Sequence, residues 1–238
     1  DADEDVPPLR RLLEFFRQQQ TPLNLAVIPG RLTAAGRDCL LQAVESTPAL
    51  IELHQHGWQH LNHELAGRKC EFGPSRSLAE QLADIAQGQR QMTEAFGPHW
   101  FPAFVPPWNR CTDTTVQALA QLGFRVLSRD RGEASSSNTD VQEIPVTLDL
   151  FRWRGGAQLR PAEELVDVFC QQAQSDAPIG VLLHHKVMDD AAFAFVEALL
   201  QLCQRFPVVR CQTLSQLVKL PRCDKTEKRE PLNGEVGG

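Results

Sequence analysis

The chain has 238 residues, of which 42% are hydrophobic and 23% are charged. These proportions are ordinary for a globular protein and exclude collagen-like and disordered classes, and the length is enough to bury a sizeable core. A net charge of −6 argues against a nucleic-acid or anionic-membrane surface. No run of about 20 apolar residues is present, so no membrane span is expected.

The first part of the chain reads as alternating helices and strands. Apolar residues from Leu9 to Phe16 recur at i, i+3, i+4 and i+7, which predicts an amphipathic helix. A strand over residues 23–28 follows, then a helix over about 32–46. A short apolar run over 49–53 leads directly into a cluster of histidines. This order is typical of strand–helix units.

The same alternation continues to the end of the predicted fold. The expected elements are a long helix over 78–96, a strand at 100–105, a helix capped by Asp113, strands at 125–128 and 141–146 around a polar loop at 129–140, a helix near 165–169, a strand at 179–183, a helix near 196–203 and a strand at 208–211. Such repetition favours an α/β fold with a parallel sheet, and about seven units favour a closed (β/α) barrel. A barrel needs a strand before the first helix, so we expect that strand upstream of Asp1 or missing from this chain.

The domain and compartment predictions rest on composition. We expect one catalytic domain over residues 1–220 and a polar, disordered tail over 221–238, because the tail is charged and Gly-rich. Seven cysteines are scattered singly and no C-x-x-C occurs, which is typical of a reducing, cytoplasmic chain. The chain opens on Asp1 rather than Met, so secretion stays open.

Polar residues cluster where the predicted strands end. In parallel α/β folds the active site gathers at the carboxyl ends of the strands. The segments found there are H-Q-H-G-W-Q-H at residues 54–60, P-P-W-N-R at 106–110 and H-H-K at 184–186, and the acidic D-A-D-E-D at 1–5 precedes the first helix. These segments are the candidates for chemistry.

His56 and His60 form the strongest metal-binding candidate. Two histidines and one carboxylate are a common ligand set for a catalytic divalent metal, with an open position for water. A spacing of four would bring both rings to one face of a helical turn, and Gly57 permits a tight exit from the strand. The alternative is a pair of surface histidines in a polar loop.

His184 is the candidate general acid. It ends a predicted apolar strand, and an imidazole with a reference pKa of about 6.5 can donate a proton near neutral pH. Alternation along the strand places His184 and His185 on opposite faces, so only one should line the site, and the sequence leaves open which. The alternative is a structural histidine.

The segment from Pro106 to Arg110 is a candidate substrate wall. Pro107 would stiffen it, Trp108 could stack on a sugar ring, and Arg110 could orient a carboxylate. The alternative is a strand-ending turn with Trp108 in the core.

In this order, the segments resemble the polysaccharide deacetylase family with the NodB homology domain. The matching residues are Asp1 in D-A-D-E-D, H-G-W-Q-H from His56 to His60, P-P-W-N-R from Pro106 to Arg110 and L-L-H from Leu182 to His184. E-F-G at residues 71–73 also resembles a bacterial branch of polysaccharide deacetylase-like proteins. The resemblance covers the chain to about residue 220.

The resemblance implies a distorted (β/α) barrel and metal-dependent removal of N- or O-acetyl groups from a carbohydrate. One divalent ion, usually zinc, would be held by Asp1, His56 and His60, and His184 would protonate the leaving group. The family uses an adjacent aspartate as general base. No adjacent pair of aspartates stands near this N-terminus. If Asp1 is the ligand, the resemblance implies a base just before the first residue, lost from this chain, and Asp3 could replace it only by a different backbone path.

The resemblance also bears weakly on residues 149–153. Asp149 and Trp153, in D-L-F-R-W, weakly resemble the family segment that supports the base.

The expected binding partner is an acetylated carbohydrate and not a nucleic acid, and the oligomeric state stays open.

Other functions use the same residues. A metal-dependent amidase acting on a small non-sugar amide needs the same ligands and acid. A non-catalytic glycan-binding protein on the same fold is favoured by the missing acid pair. A structural protein with incidental histidines would bind no metal.

Overall fold

The computed structural model describes residues 6–130 and 139–219, in which helices and strands alternate along the chain. The elements are α1 (Val6–Gln18), β1 (Leu23–Val27), α2 (Ala34–Ser46), β2 (Ile51–His56), α3 (Leu78–Phe96), β3 (Trp100–Val105), α4 (Asp113–Gln121), β4 (Val126–Leu127), β5 (Gln142–Glu143), β6 (Leu148–Asp149), β7 (Phe151–Arg152), β8 (Gln158–Leu159), α5 (Ala162–Gln172), β9 (Val181–Leu182), α6 (Asp190–Gln204) and α7 (Leu214–Lys219). Asp1, Asp3 and the predicted tail over 221–238 lie outside the described residues.

The main sheet is parallel and follows chain order. Its strands lie in the order β1-β2-β3-β4-β5, and every neighbouring pair is parallel. β6 and β9 form a second parallel pair, and β7 and β8 form an antiparallel hairpin. The prediction of an α/β fold with a parallel sheet is confirmed. Among the described strands none pairs with the outer edge of β1, so closure into a barrel stays a prediction.

Apolar side chains cover both faces of the sheet. Successive residues of a strand point to opposite faces. Phe104 therefore packs with Leu127 against α3 and α4, whereas Ala103 packs with Val126 against Leu214 of α7. The strands read as apolar runs because both faces are buried.

The start of α3 is fixed by a capping box. The Ser77 side chain accepts a hydrogen bond from the Glu80 backbone N–H, and the Glu80 side chain accepts one from the Ser77 backbone N–H. These bonds satisfy backbone donors that a helix leaves unpaired at its first turn. Because they fix the start of α3 at Leu78, residues 57–77 form a long loop between β2 and α3.

Several predicted elements are shorter than expected or absent. Residues 208–211 form no strand: Val208 is 90% exposed, and none of the described strands supplies ladder hydrogen bonds to this segment. The run over 141–146 is a strand only at β5, since Pro145 lacks an N–H for the ladder. The run over 179–183 is reduced to β9. Thr112, one residue before Asp113, is the N-cap of α4.

Helix α7 and the β7–β8 hairpin were not predicted from the sequence. Asn24 accepts a hydrogen bond from the Leu214 backbone N–H at 3.0 Å, and Glu52 accepts one from the Ser215 backbone N–H at 3.0 Å. Side chains of β1 and β2 thus hold the first turn of α7. None of the helices in residues 6–130 and 139–219 is long and apolar enough to cross a lipid bilayer.

Candidate active site

His56 is the last residue of β2 and is anchored to the next strand. Its Nδ1 lies 2.8 Å from the carbonyl oxygen of Val105. A carbonyl can only accept, so this contact puts the ring proton on Nδ1 and the lone pair on Nε2. A backbone carbonyl that fixes the tautomer in this way is the usual support of a metal-binding histidine.

His60 reaches His56 through an irregular loop, and the expected helical turn is absent. Gly57 and His60 both have positive φ, 58° and 57°, so residues 57–60 do not continue as a helix. The two ring centroids nevertheless lie 5.3 Å apart, tilted by 54°. The predicted convergence of the rings is present, but its geometric cause was wrong.

Burial controls the protonation of His60. Burial, together with charge repulsion from the neighbouring His56, lowers the pKa of His60 to about 4. The ring is therefore neutral at pH 7, which is the state that binds a metal.

A buried carboxylate holds the loop between the two histidines. Glu71 is 1% exposed and accepts hydrogen bonds from the backbone N–H groups of Trp58 (3.2 Å), Gln59 (2.8 Å) and Leu61 (3.4 Å). Burial raises the pKa of Glu71, and the three backbone donors oppose that rise. In the sequence, Glu71 is marked only by the family resemblance of E-F-G at residues 71–73, which assigned it no role.

The wall segment lies against the histidine pair. Residues Pro107–Asn109 form a short 3-10 turn with positive φ at Trp108 and Asn109. The Trp108 ring centroid lies 4.4 Å from that of His60, in an edge-to-face arrangement. Arg110 donates a hydrogen bond from Nη1 to the Lys69 carbonyl oxygen at 3.2 Å. Arg110 thus ties the wall to the loop over 57–77.

A second cluster forms where β6 and β9 end. Nε2 of His184 lies 3.1 Å from Oδ1 of Asp149, and the Trp153 indole N–H donates to Oδ2 of Asp149 at 3.0 Å. The His184 and Trp153 ring centroids are 4.6 Å apart. The structure places His184 beside Asp149 and buries His185, so His184 is the better candidate acid.

Two opposing effects act on the Asp149 carboxyl. Burial alone would raise the pKa of Asp149, but the hydrogen bond and charge of His184 hold it below its usual value. The backbone N–H of Phe151 adds a further hydrogen bond at 2.9 Å. Asp149 is therefore an anion that can orient the His184 imidazole and stabilise its protonated form.

Asp130 links the two clusters. Its backbone N–H donates to the Asn109 carbonyl at 3.1 Å, and it forms a parallel bridge with Val146, three residues before Asp149. Burial raises the pKa of Asp130, the charge of Arg110 lowers it, and the charge of Asp149 raises it. Both clusters therefore lie at the carboxyl-end side of the strands. The sequence predicted only a polar loop around Asp130 and no role for its side chain.

The histidine pair fits a divalent metal as part of a ligand set. Within residues 6–130 and 139–219 no group of three histidine, cysteine or acidic side chains could hold an ion by itself. The expected third ligand, Asp1, and the candidate base, Asp3, lie outside that part of the chain. His56 with its fixed tautomer and the neutral His60 have the donor chemistry that zinc and cobalt accept.

Comparison with known proteins gives one family and a common fold. Residues 5–127 match the model of the polysaccharide deacetylase family. No curated protein matches the chain in sequence.

Solved structures with a similar fold include two described as polysaccharide deacetylases and one described as an acetyl xylan esterase. One is described as a polysaccharide deacetylase from Mycobacterium smegmatis, with a TM-score of 0.66 and 16% identity over 90% of this chain and 76% of that chain. Another is described as a polysaccharide deacetylase from Pseudomonas aeruginosa PAO1. It has a TM-score of 0.66 and 17% identity over 89% of this chain and 71% of that chain. A family 4 acetyl xylan esterase from Clostridium thermocellum in complex with a cobalt ion has a TM-score of 0.54 and 15% identity over 83% and 79%.

Proposed function

The chain belongs to the polysaccharide deacetylase family, and from that premise we propose that it is a metal-dependent hydrolase that removes N- or O-acetyl groups from a carbohydrate. The observation that carries the proposal is the presence of two clusters, His56 with His60 and Asp149 with His184, each at the carboxyl ends of parallel strands. Strands from both halves of the chain contribute, which supports one catalytic domain over residues 1–220.

His56 and His60 would hold the metal, with Asp1 as the carboxylate ligand. When bound, a divalent ion, zinc in our proposal, polarises the acetyl carbonyl and acidifies a bound water. The chain supports that ion through the Val105 carbonyl, which fixes the His56 tautomer, and through the burial that keeps His60 neutral.

His184 would act as the general acid. Its ring donates a proton to the leaving amine or alcohol, and Asp149 keeps the imidazole oriented and stabilises its positive charge. Asp3 is our candidate for the base that takes the proton from water.

Aromatic side chains beside both clusters suit a sugar substrate. Trp108 lies against His60, and Trp153, which is about half exposed, lies against His184. Indole faces pack well on the apolar faces of sugar rings. We propose Pro107, Trp108 and Arg110 as the substrate wall. In this proposal Arg110 also stabilises the wall through its bond to the Lys69 carbonyl.

Acetate release tests the function. The purified chain is assayed on chitooligosaccharides and on a small acetylated amide, before chelation, after chelation and after zinc or cobalt is restored. We expect acetate release from the oligosaccharide that stops on chelation and returns with metal. Turnover that survives chelation contradicts metal dependence.

The same assay separates the alternatives. Faster release from the small amide favours the amidase. Binding of the oligosaccharide with no release under any metal condition favours a glycan-binding protein.

A further inference from the structure

The Glu71 carboxylate is enclosed by backbone donors of the loop that carries His60. Three N–H groups, from Trp58, Gln59 and Leu61, point at its two oxygens at 2.8 to 3.4 Å. Consecutive backbone N–H groups that converge in this way form an anion-binding concavity, often filled by a phosphate or another external anion. Here a side chain of the same chain fills it.

The close approach of Glu71 depends on Gly57. A Cβ on Gly57 would lie 2.2 Å from Oε2 of Glu71 and 2.6 Å from the Pro107 ring. The other side of the loop is held by the Gly30 backbone N–H, which donates to the Trp58 carbonyl at 2.8 Å. The loop is therefore fixed from both sides at the point where the chain leaves β2.

We propose that Glu71 is a positioning residue that sets the His60 ring against His56 by binding the backbone between them. The inference rests on the proposed function only in taking these two rings as metal ligands. Residues 57–61 lie outside every helix and strand, so their N–H groups have no ladder partners. The positive φ of His60 is a conformation that non-glycine residues adopt only when surrounding contacts impose it.

A carboxylate suits this role better than an amide. It offers two acceptor oxygens, and its negative charge strengthens each N–H bond. A glutamine in the same place would offer one oxygen and would turn an NH₂ group toward backbone N–H donors. Glu71→Gln is thus nearly isosteric and removes the charge and one acceptor.

The test measures cobalt affinity and loop protection on the metal-depleted full chain. Co²⁺ binding is followed by calorimetry and by the cobalt absorption spectrum, and backbone amide hydrogen exchange is followed at residues 58–61. We expect Glu71→Gln to weaken Co²⁺ binding by about 10–100-fold, the usual effect of removing an outer partner of a metal site. We also expect faster exchange at Trp58, Gln59 and Leu61.

Glu52→Gln is the matched control. Glu52 lies in β2, is also shielded from solvent, and accepts a backbone N–H from Ser215 at 3.0 Å. Its loss weakens the docking of α7 and the 2.8 Å contact of Glu52 with Nε2 of His54, and neither contact involves the loop over 57–61. We expect this variant to bind Co²⁺ like the unmodified chain.

The outcomes are distinguishable. Co²⁺ affinity and loop exchange unchanged in Glu71→Gln overturn the inference, as does an equal loss of affinity in Glu52→Gln. If the unmodified chain binds no Co²⁺, the proposed metal site fails, and the exchange rates still decide whether Glu71 holds the loop. If Glu71→Gln does not fold, Glu71→Asp replaces it. That variant keeps the charge on a shorter side chain, and unchanged cobalt affinity and loop exchange would again overturn the inference.

Discussion

Asp149 and His184 stand 35 residues apart in the chain, and Oδ1 of the first lies 3.1 Å from Nε2 of the second. The parallel pairing of β6 with β9 creates this proximity, because its register sets Asp149 beside Leu182. The orientation of the candidate acid therefore depends on a two-stranded ladder rather than on the histidine alone.

Asp149→Asn should lower kcat. The amide can still bond to His184 but cannot stabilise the imidazolium, and positioned acid–base groups contribute about 10²–10⁴-fold to rate. The measurement is acetate release as a function of pH. Asp84→Asn is the control, since Asp84 pairs with Arg76 on another part of the surface. An unchanged kcat in Asp149→Asn would remove this aspartate from the mechanism.

Asp149 should also make the free energy of unfolding fall as the pH is lowered into the acid range. The folded pKa of this carboxyl lies below its unfolded value, which is about 3.9. Its contribution to the free energy of unfolding is therefore complete above about pH 4 and is lost as pH falls through the folded pKa. Urea unfolding at pH 6 and pH 3 should show a difference between the unmodified chain and Asp149→Asn that shrinks at pH 3. A constant difference would contradict the lowered pKa.

His56→Ala and His60→Ala should each weaken Co²⁺ binding strongly. Each removes one imidazole from a pair whose ring centroids lie 5.3 Å apart. Native mass spectrometry reports the occupancy. His63→Ala, an exposed histidine three residues further along, should keep full occupancy. Full Co²⁺ occupancy in both His56→Ala and His60→Ala would contradict the assignment of these histidines as metal ligands.

Gly57→Ala should destabilise the protein more than Gly123→Ala. Both glycines have positive φ, 58° and 74°, so both substitutions force an L-residue into the left-handed region at a cost of about 1–2 kcal/mol. At Gly123 the new Cβ meets nothing within 4 Å, whereas at Gly57 it collides with Glu71 and Pro107. The free energies of unfolding from urea titration measure the difference. Equal costs would show that the loop yields to the extra carbon.

The sequence was informative where rules are local. Apolar spacing predicted α1 and α3. The rule that active-site groups gather at the carboxyl ends of parallel strands correctly singled out the segment that carries His56. His184 and Asp149 fit the same rule, since both stand at or just beyond strand ends.

The sequence was uninformative where a residue far away in the chain determines the local backbone conformation. The helical turn expected between His56 and His60 is absent, because Glu71, 12 residues after Gln59, binds that backbone in another conformation. The strand expected at 208–211 is absent, and among the described strands none pairs with Val208. Neither the binding of Glu71 to this backbone nor the lack of a paired strand at Val208 can be inferred from the local sequence pattern.

The bond between Glu52 and the Ser215 backbone has a consequence for biosynthesis. It spans 163 residues, so β2 leaves the ribosome long before its partner has been translated. Until then the Glu52 carboxylate lacks the Ser215 donor and the sheet lacks the cover that Leu214 supplies. Contacts this far apart in sequence form late and slowly. A nascent chain must therefore keep this face of the sheet from aggregating until α7 has emerged.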